Sequence, residues 1–198
     1  MTEAILLSGG IDSISLAYWK RPAVAVTVDY GQRPARGEIQ ASAGACEALG
    51  IEHLVVSVDC SSLGSGDMAG SSPLEIAPVP EWWPYRNQLL VTLAASAVIS
   101  RGVASLLIGT VKADSQHADG TSRFVAALSN LMSLQEGGLR VEAPAIGLTS
   151  VELVRRSEVP LEVLAWAHSC HTSSLACGRC RGCAKHFETM QDLDIGPY

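Results

Sequence analysis

The chain has 198 residues, 47% of them hydrophobic and 17% charged, with a formal net charge of −6. That length suits one domain with at most a small appendage, the composition excludes a disordered or fibrous chain, and the acidic balance excludes broad, sequence-independent nucleic-acid binding, which needs a basic face. No run approaches the roughly 20 apolar residues of a membrane span, and Met1-Thr2-Glu3 lacks a basic leader, so the chain reads as cytoplasmic.

In chain order, residues 4–7 read as a strand, 12–19 as a helix, 24–28 as a second strand, 34–49 as a long helix stopped by Gly50, and 53–58 as a third strand. Residues 60–84 are rich in Ser, Gly and Pro, have little periodicity and carry Trp82 and Trp83 near their end. So long a loop is either a functional lid or a segment docked by its aromatics. Residues 86–100 resume as a helix, 105–109 as a strand, 122–135 as a helix ended by Gly137-Gly138, and 140–142 as a short fifth strand. Thr149 and Glu152 have capping-box spacing and open a helix to about residue 159. Strands that are nearly all apolar, alternating with helices, predict an α/β fold: a doubly wound parallel sheet covered on both faces.

Three motifs carry chemistry. Ser8-Gly9-Gly10-Ile11-Asp12-Ser13 stands between the first strand and the first helix. Glycines there let backbone N–H groups approach an anion, the helix dipole adds positive charge, and the two serines add hydroxyl donors. Asp12 is placed to cap the helix or to hold a magnesium ion beside phosphates. The loop lacks the Gly-Lys-Ser/Thr ending of the common triphosphate loop and the spacing of the dinucleotide fingerprint.

Cys170, Cys177, Cys180 and Cys183 crowd the other end of the chain, in the spacing of a closed tetrahedral zinc site. An iron–sulfur cluster needs four cysteines too and stays open as the other reading. His168, His171 and His186 flank these cysteines and read as neighbours rather than ligands. Third, Asp29-Tyr30-Gly31-Gln32-Arg33 follows the second strand at the sheet edge where ligands of parallel sheets bind, although taken alone it reads as a tight turn opening a helix.

Together these motifs make the chain resemble the 7-cyano-7-deazaguanine synthase family of PP-loop ATP pyrophosphatases over nearly its whole length. The resemblance rests on the SGGxDS loop, DYGQR at 29–33, Pro84-Tyr85-Arg86-Asn87 with the helix after it, Asp114 followed by Arg123-Phe124-Val125, and the four cysteines. It implies a Rossmann-like fold of the adenine nucleotide alpha hydrolase type, with residues 1–160 as the ATP-binding domain and 161–198 as a small zinc-binding segment packed on it. It further implies ATP contacts from Ser8, Gly9, Gly10, Ile11, Asp12, Ser13, Tyr30, Arg86 and Asn87, and substrate contacts from Gln32, Arg33, Asp114 and Arg123. Asp12 and Asp114 are expected in catalytic roles, with magnesium and structural zinc as cofactors; Lys112, where the chain departs from the family, is the third catalytic candidate. The implied reaction is adenylation of the carboxylate of 7-carboxy-7-deazaguanine, followed by amide formation with ammonia and conversion to the nitrile. A homodimer is also implied, though nothing in the residues themselves carries it.

The departures cluster. Lys112 replaces a family glutamate, the family's Tyr-Pro-Asp-Cys core is lost within residues 115–123, and Tyr85 replaces a glycine. Ser150 stands for a lysine, and His186 for an arginine. Lys112 reads either as a hand for the substrate carboxylate or phosphates, or as a solvated surface lysine. Loss on the acceptor side with the ATP loop retained raises the alternative of a specialised paralogue in anti-phage defence that joins the activated group to a protein amine. A different PP-loop chemistry, such as tRNA thiolation, meets the acidic charge as an objection. A non-catalytic scaffold has no need of Asp12 or Ser13.

Overall fold

The computed structural model describes residues 2–196; Met1, Pro197 and Tyr198, at the outer ends of the two expected segments, lie outside them. Strand β1 (Thr2–Leu6) leads into helix α1 (Ile11–Lys20), and β2 (Val24–Asp29) into α2 (Ala35–Leu49), followed by β3 (Glu52–Ser57). A one-turn helix, α3 (Gly66–Ala69), interrupts the long segment before α4 (Arg86–Val98). Then come β4 (Val103–Ile108), α5 (Ser122–Ser133), β5 (Arg140–Glu142), α6 (Ser150–Ser157), α7 (Leu161–Leu164) and α8 (Arg181–Asp192).

The strands form one sheet in the order β3-β2-β1-β4-β5, every neighbouring pair parallel. Their two-residue period explains why both faces are covered. Ala4, Leu106 and Ile108 pack with Val91 and Val98 of α4 and Leu128 of α5. Their strand neighbours Ile5 and Leu107 pack instead with Ile14 and Leu16 of α1 and Ala45 of α2. Each such Val, Leu or Ile side chain contributes about 1.5–3 kcal/mol on burial. Leu164 of α7 and Met190 of α8 join this second core, so the C-terminal segment is packed into the same body.

The doubly wound parallel sheet is thus as the β–α alternation predicts. Gly50 ends α2 at φ 66°, a conformation that costs other residues energy. Thr149 and Glu152 close a reciprocal capping box: Thr149 Oγ1 accepts from Glu152 N at 3.2 Å, and Glu152 Oε2 from Thr149 N at 2.8 Å. Trp83 resolves the long loop. It is fully buried, meets the Tyr30 ring edge-on at 4.8 Å, and so pins residues 60–84 to the core. Helices α3, α7 and α8 are not among the elements that the sequence pattern predicts.

From β1 the sheet grows outward to β2 and β3, then resumes on β1's other side with β4. The connections after β1 and β4 therefore diverge, and a crevice opens at the carboxyl edge between them.

Candidate active site

That crevice is a cavity of about 690 Å³. Its first wall is the turn after β1. Gly9 sits at φ 76°, and a side chain there would come within 2.7 Å of the Glu38 carbonyl and 2.9 Å of Ala41 Cβ, so only glycine lets the turn lie against α2. Ser8 Oγ stands 3.2 Å from Ser13 Oγ, and Ser13 Oγ donates to the Gly10 carbonyl at 3.1 Å. Ser8, Gly10, Asp12 and Ser13 all line the cavity, which leaves the start of α1 open to an anion.

The opposite wall is α8. Lys185 on this helix donates to Asp12 Oδ2 at 2.8 Å and stands 4.0 Å from Asp114 Oδ1. Burial works to lower the Lys185 ammonium, but the two carboxylates and the hydrogen bond to Asp12 outweigh it and hold it above the usual lysine range. The other oxygen of Asp12, Oδ1, is buried without a partner. Asp114 Oδ2 accepts from Val111 N at 2.9 Å, so one of its oxygens shapes the loop while the other faces Lys185.

Lys185 had no part in the sequence reading. The available signal was its position two residues beyond Cys183, on a segment that cysteine ligation would turn into a helix.

The remaining expected contacts divide. Tyr30, Arg86 and Asn87 line the cavity with Glu38 and Met68. Arg86 Nη1 donates to Met68 Sδ at 3.1 Å. Burial raises the Tyr30 hydroxyl strongly against the pull of Arg86. Asn87 is already engaged, its N and Nδ2 donating to Asp119 Oδ2 and the Asp119 carbonyl at 3.4 and 3.3 Å.

Gln32, Arg33, Lys112 and Arg123 are not brought into this cavity. Gln32 is buried and spent on the fold: it accepts from Tyr30 N at 2.8 Å and donates to the Val28 carbonyl at 3.1 Å and Glu38 Oε2 at 2.7 Å. Arg33 and Arg123 are exposed. Lys112 is exposed too and lines a shallower recess of about 340 Å³ with Thr149, Glu188 and Asp192. Lys112 thus stands beside the main cavity rather than in it, in a recess that shares Lys185 with that cavity. Gly9 serves the turn's shape, whereas Ile11 lines the cavity while also packing in the core.

The four cysteines meet. Their sulfurs all lie within 4.8 Å of one another, with Cys177–Cys183 and Cys170–Cys180 each at 3.9 Å. Backbone N–H groups point at the sulfurs, from His171 to Cys180 at 3.3 Å, Cys180 to Cys177 at 3.4 Å and Cys183 to Cys180 at 3.4 Å. Hydrogen bonds, first from the Thr172 side chain, bring the Cys177 thiol down to about 5, whereas burial pushes Cys183 up to about 12. Four sulfurs this close repel one another as thiolates, and a cation bound by all four relieves that repulsion. Cys180 also caps α8, so the cluster sits at the root of the helix that carries Lys185. His186 is buried against Ser169 Oγ at 3.2 Å, and His171 lines the cavity.

A family model described as queuosine biosynthesis protein QueC matches residues 3–193. The chain belongs to this family. Among its relatives, the 7-cyano-7-deazaguanine synthase of Methanosarcina mazei is 28% identical, over 98% of this chain and 96% of that protein. The synthase of Desulforudis audaxviator is 33% identical, over 93% and 94%. The U34-tRNA thiolase NcsA from Methanococcus maripaludis, solved with its 4Fe-4S cluster, shares the fold at a TM-score of 0.52 and 19% identity. The match covers 98% of this chain and 64% of that one. Membership of this family supports a role in queuosine biosynthesis, and the relatives it matches are named as synthases. No helix among the described residues is long and apolar enough to cross a membrane.

Proposed function

We propose that this enzyme uses ATP to adenylate the carboxylate of 7-carboxy-7-deazaguanine, or a close analogue, and then forms an amide at the same carbon. The observation that carries the reading is the meeting of Asp12 and Lys185 beside the glycine turn, in a cavity that also presents Asp114. In this reading Ser8, Ser13 and the first amides of α1 hold the phosphates of ATP. The unpartnered Oδ1 of Asp12 is a hard oxygen suited to magnesium, which when bound neutralises phosphate charge. Lys185 supplies positive charge where negative charge gathers as a carboxylate oxygen attacks the α-phosphorus and pyrophosphate departs. An amine then attacks the acyl carbon, AMP leaves and the amine gives up a proton.

Zinc is the metal proposed for the cysteines. Tetrahedral zinc with bonds of about 2.3 Å spaces its sulfurs about 3.8 Å apart, and the two 3.9 Å pairs fit that. A cubane cluster bonds each thiolate to a separate iron and needs a wider spread. Its role here is structural, rooting α8.

Ammonia is the acceptor proposed first, leading to the amide and, after a second activation, the nitrile. The shallower recess joins the cavity at Ser150, Lys185, Glu188 and Thr189 and opens to solvent. This opening favours a larger amine, such as a protein N-terminus in an anti-phage setting, as the second reading. Incubation with ATP, magnesium, the carboxylate and ammonium, read by mass spectrometry, separates the two. Amide or nitrile supports ammonia, whereas pyrophosphate release without an ammonia product supports another acceptor. No carboxylate-dependent pyrophosphate release contradicts both.

A further inference from the structure

Glu81 stands at the end of the long loop, two residues before the buried Trp83, and had no part in the sequence reading. It is 7% exposed and lines the main cavity. One carboxylate oxygen, Oε1, lies 3.3 Å from Arg181 Nη1 at the start of α8. The other, Oε2, is buried with no hydrogen-bond partner. A buried carboxylate oxygen without a donor is unfavourable on its own and becomes favourable when a ligand brings one. The anchors on both sides, Trp83 in the core and Arg181 on the helix, fix where that oxygen points.

We propose that Glu81 is the specificity-determining residue for the base, its free oxygen accepting a hydrogen bond from the N–H edge of a guanine-type ring. This rests on the adenylation reading, in which two bases enter the site. The guanine-type substrate presents a ring N–H beside an exocyclic amino group, two donors on one edge: one meets the free Oε2, and the other meets Oε1, whose second lone pair the single contact with Arg181 leaves available. The adenine of ATP presents its amino group beside a ring nitrogen acceptor, whose lone pair repels one. Among the two, the acidic wall at Glu81 selects the deazaguanine. The chain thereby uses a residue of the loop, held by the metal-rooted helix, to recognise what the glycine turn activates.

The test compares 7-carboxy-7-deazaguanine with its 2-deamino analogue, in carboxylate-dependent ATP–pyrophosphate exchange and by calorimetric binding without ATP. For the wild type, removal of the 2-amino group lowers kcat/KM by about 10- to 100-fold. E81Q lowers kcat/KM for the full substrate by a similar factor, barely changes it for the analogue and leaves the KM for ATP unchanged. E81D restores part of the discrimination. A wild type that treats the two bases alike overturns the proposal, whatever the variants do. So does an E81Q that loses both equally or raises the KM for ATP. Absence of exchange with either base overturns the adenylation reading instead, and the calorimetric preference then decides the role of Glu81 by itself.

Discussion

The two walls of the cavity are built by different physics. The turn at Ser8–Ser13 is held by the sheet: Ile5 and Leu7 before it and Ile14 and Leu16 after it are buried in the core, so its geometry follows from hydrophobic packing. Helix α8 buries Gly182, Cys183, His186, Thr189 and Met190. Those positions follow a helical period, yet only Met190 is an ordinary apolar core residue. Its wall depends on the cysteine cluster at its root and on ion pairs from Arg181 and Lys185. One wall is stable because strands are buried, whereas the other has one apolar anchor in the core, Met190, and otherwise relies on the cluster and its ion pairs. Asp12 and Lys185 meet where the two join.

The comparison can be broken from either side. The largest effect is expected from Asp12→Ala, which removes the meeting point; pyrophosphate release measured with saturating carboxylate falls about 10³-fold, the scale of losing a central electrostatic group. Cys183→Ser or chelation should strike the second wall alone. Stability falls by more than about 4 kcal/mol, as for other lost metal sites, seen as a melting temperature lower by about 10 °C or more. Far-UV circular dichroism loses about one helix and keeps the sheet. Simultaneous loss of all structure would show instead that the walls are not separable.

Lys185→Met tests whether α8 contributes chemistry or only a surface. The expected outcome is a fall of about 10²-fold in kcat, with a drop in melting temperature smaller than that of Cys183→Ser from the lost pair to Asp12, and partial recovery of both in Lys185→Arg. An unchanged kcat would reduce the helix to packing.

Behind the first wall, burial pushes the Glu38 carboxyl up to about 7, from an ordinary value of 4.5, with the Gln32 hydrogen bond and Arg86 pulling the other way. Between these values the folded protein binds more protons than the unfolded one. The contribution of Glu38 is therefore fully favourable below about pH 4.5 and is lost as pH rises through 7. Glu38→Gln removes that slope, a gain on the order of 1–2 kcal/mol at pH 8 in urea titrations.

The smallest effect concerns Tyr85, which takes the place of a family glycine. It sits at φ 53°, ψ 23° at the start of α4 and is 79% exposed. A left-handed conformation costs a residue with a side chain roughly 1–2 kcal/mol, and the exposed ring returns little. Tyr85→Gly should raise stability by about 1 kcal/mol in the same titrations. Destabilisation would mean that the ring makes contacts of value.

The same contrast explains what could be read in the sequence. Strands and helices that bury Val, Ile, Leu and Ala show their period in the letters, and the sheet, the glycine turn and the capping box were all legible. Helix α8 was not, because its buried face is written in glycine, cysteine, histidine and threonine, residues that hydrophobic periodicity passes over. Lys185 and Glu81 were lost with it, since the first rides on that helix and the second is held against it by Arg181. Gln32 illustrates the opposite error. A polar residue in a motif at the sheet edge reads as a ligand contact, whereas its three hydrogen bonds all go to the protein. The four cysteines were legible because their spacing alone carries the geometry.

The most direct test of the central claim, that the two walls meet to adenylate a carboxylate, is to follow the substrate's own oxygen. With 7-carboxy-7-deazaguanine labelled with ¹⁸O in its carboxylate, an acyl-adenylate route transfers one labelled oxygen to AMP in each turnover, and mass spectrometry of the AMP will show it. Label appearing in inorganic phosphate with ADP as the nucleotide product, or AMP formed without label, would contradict the account.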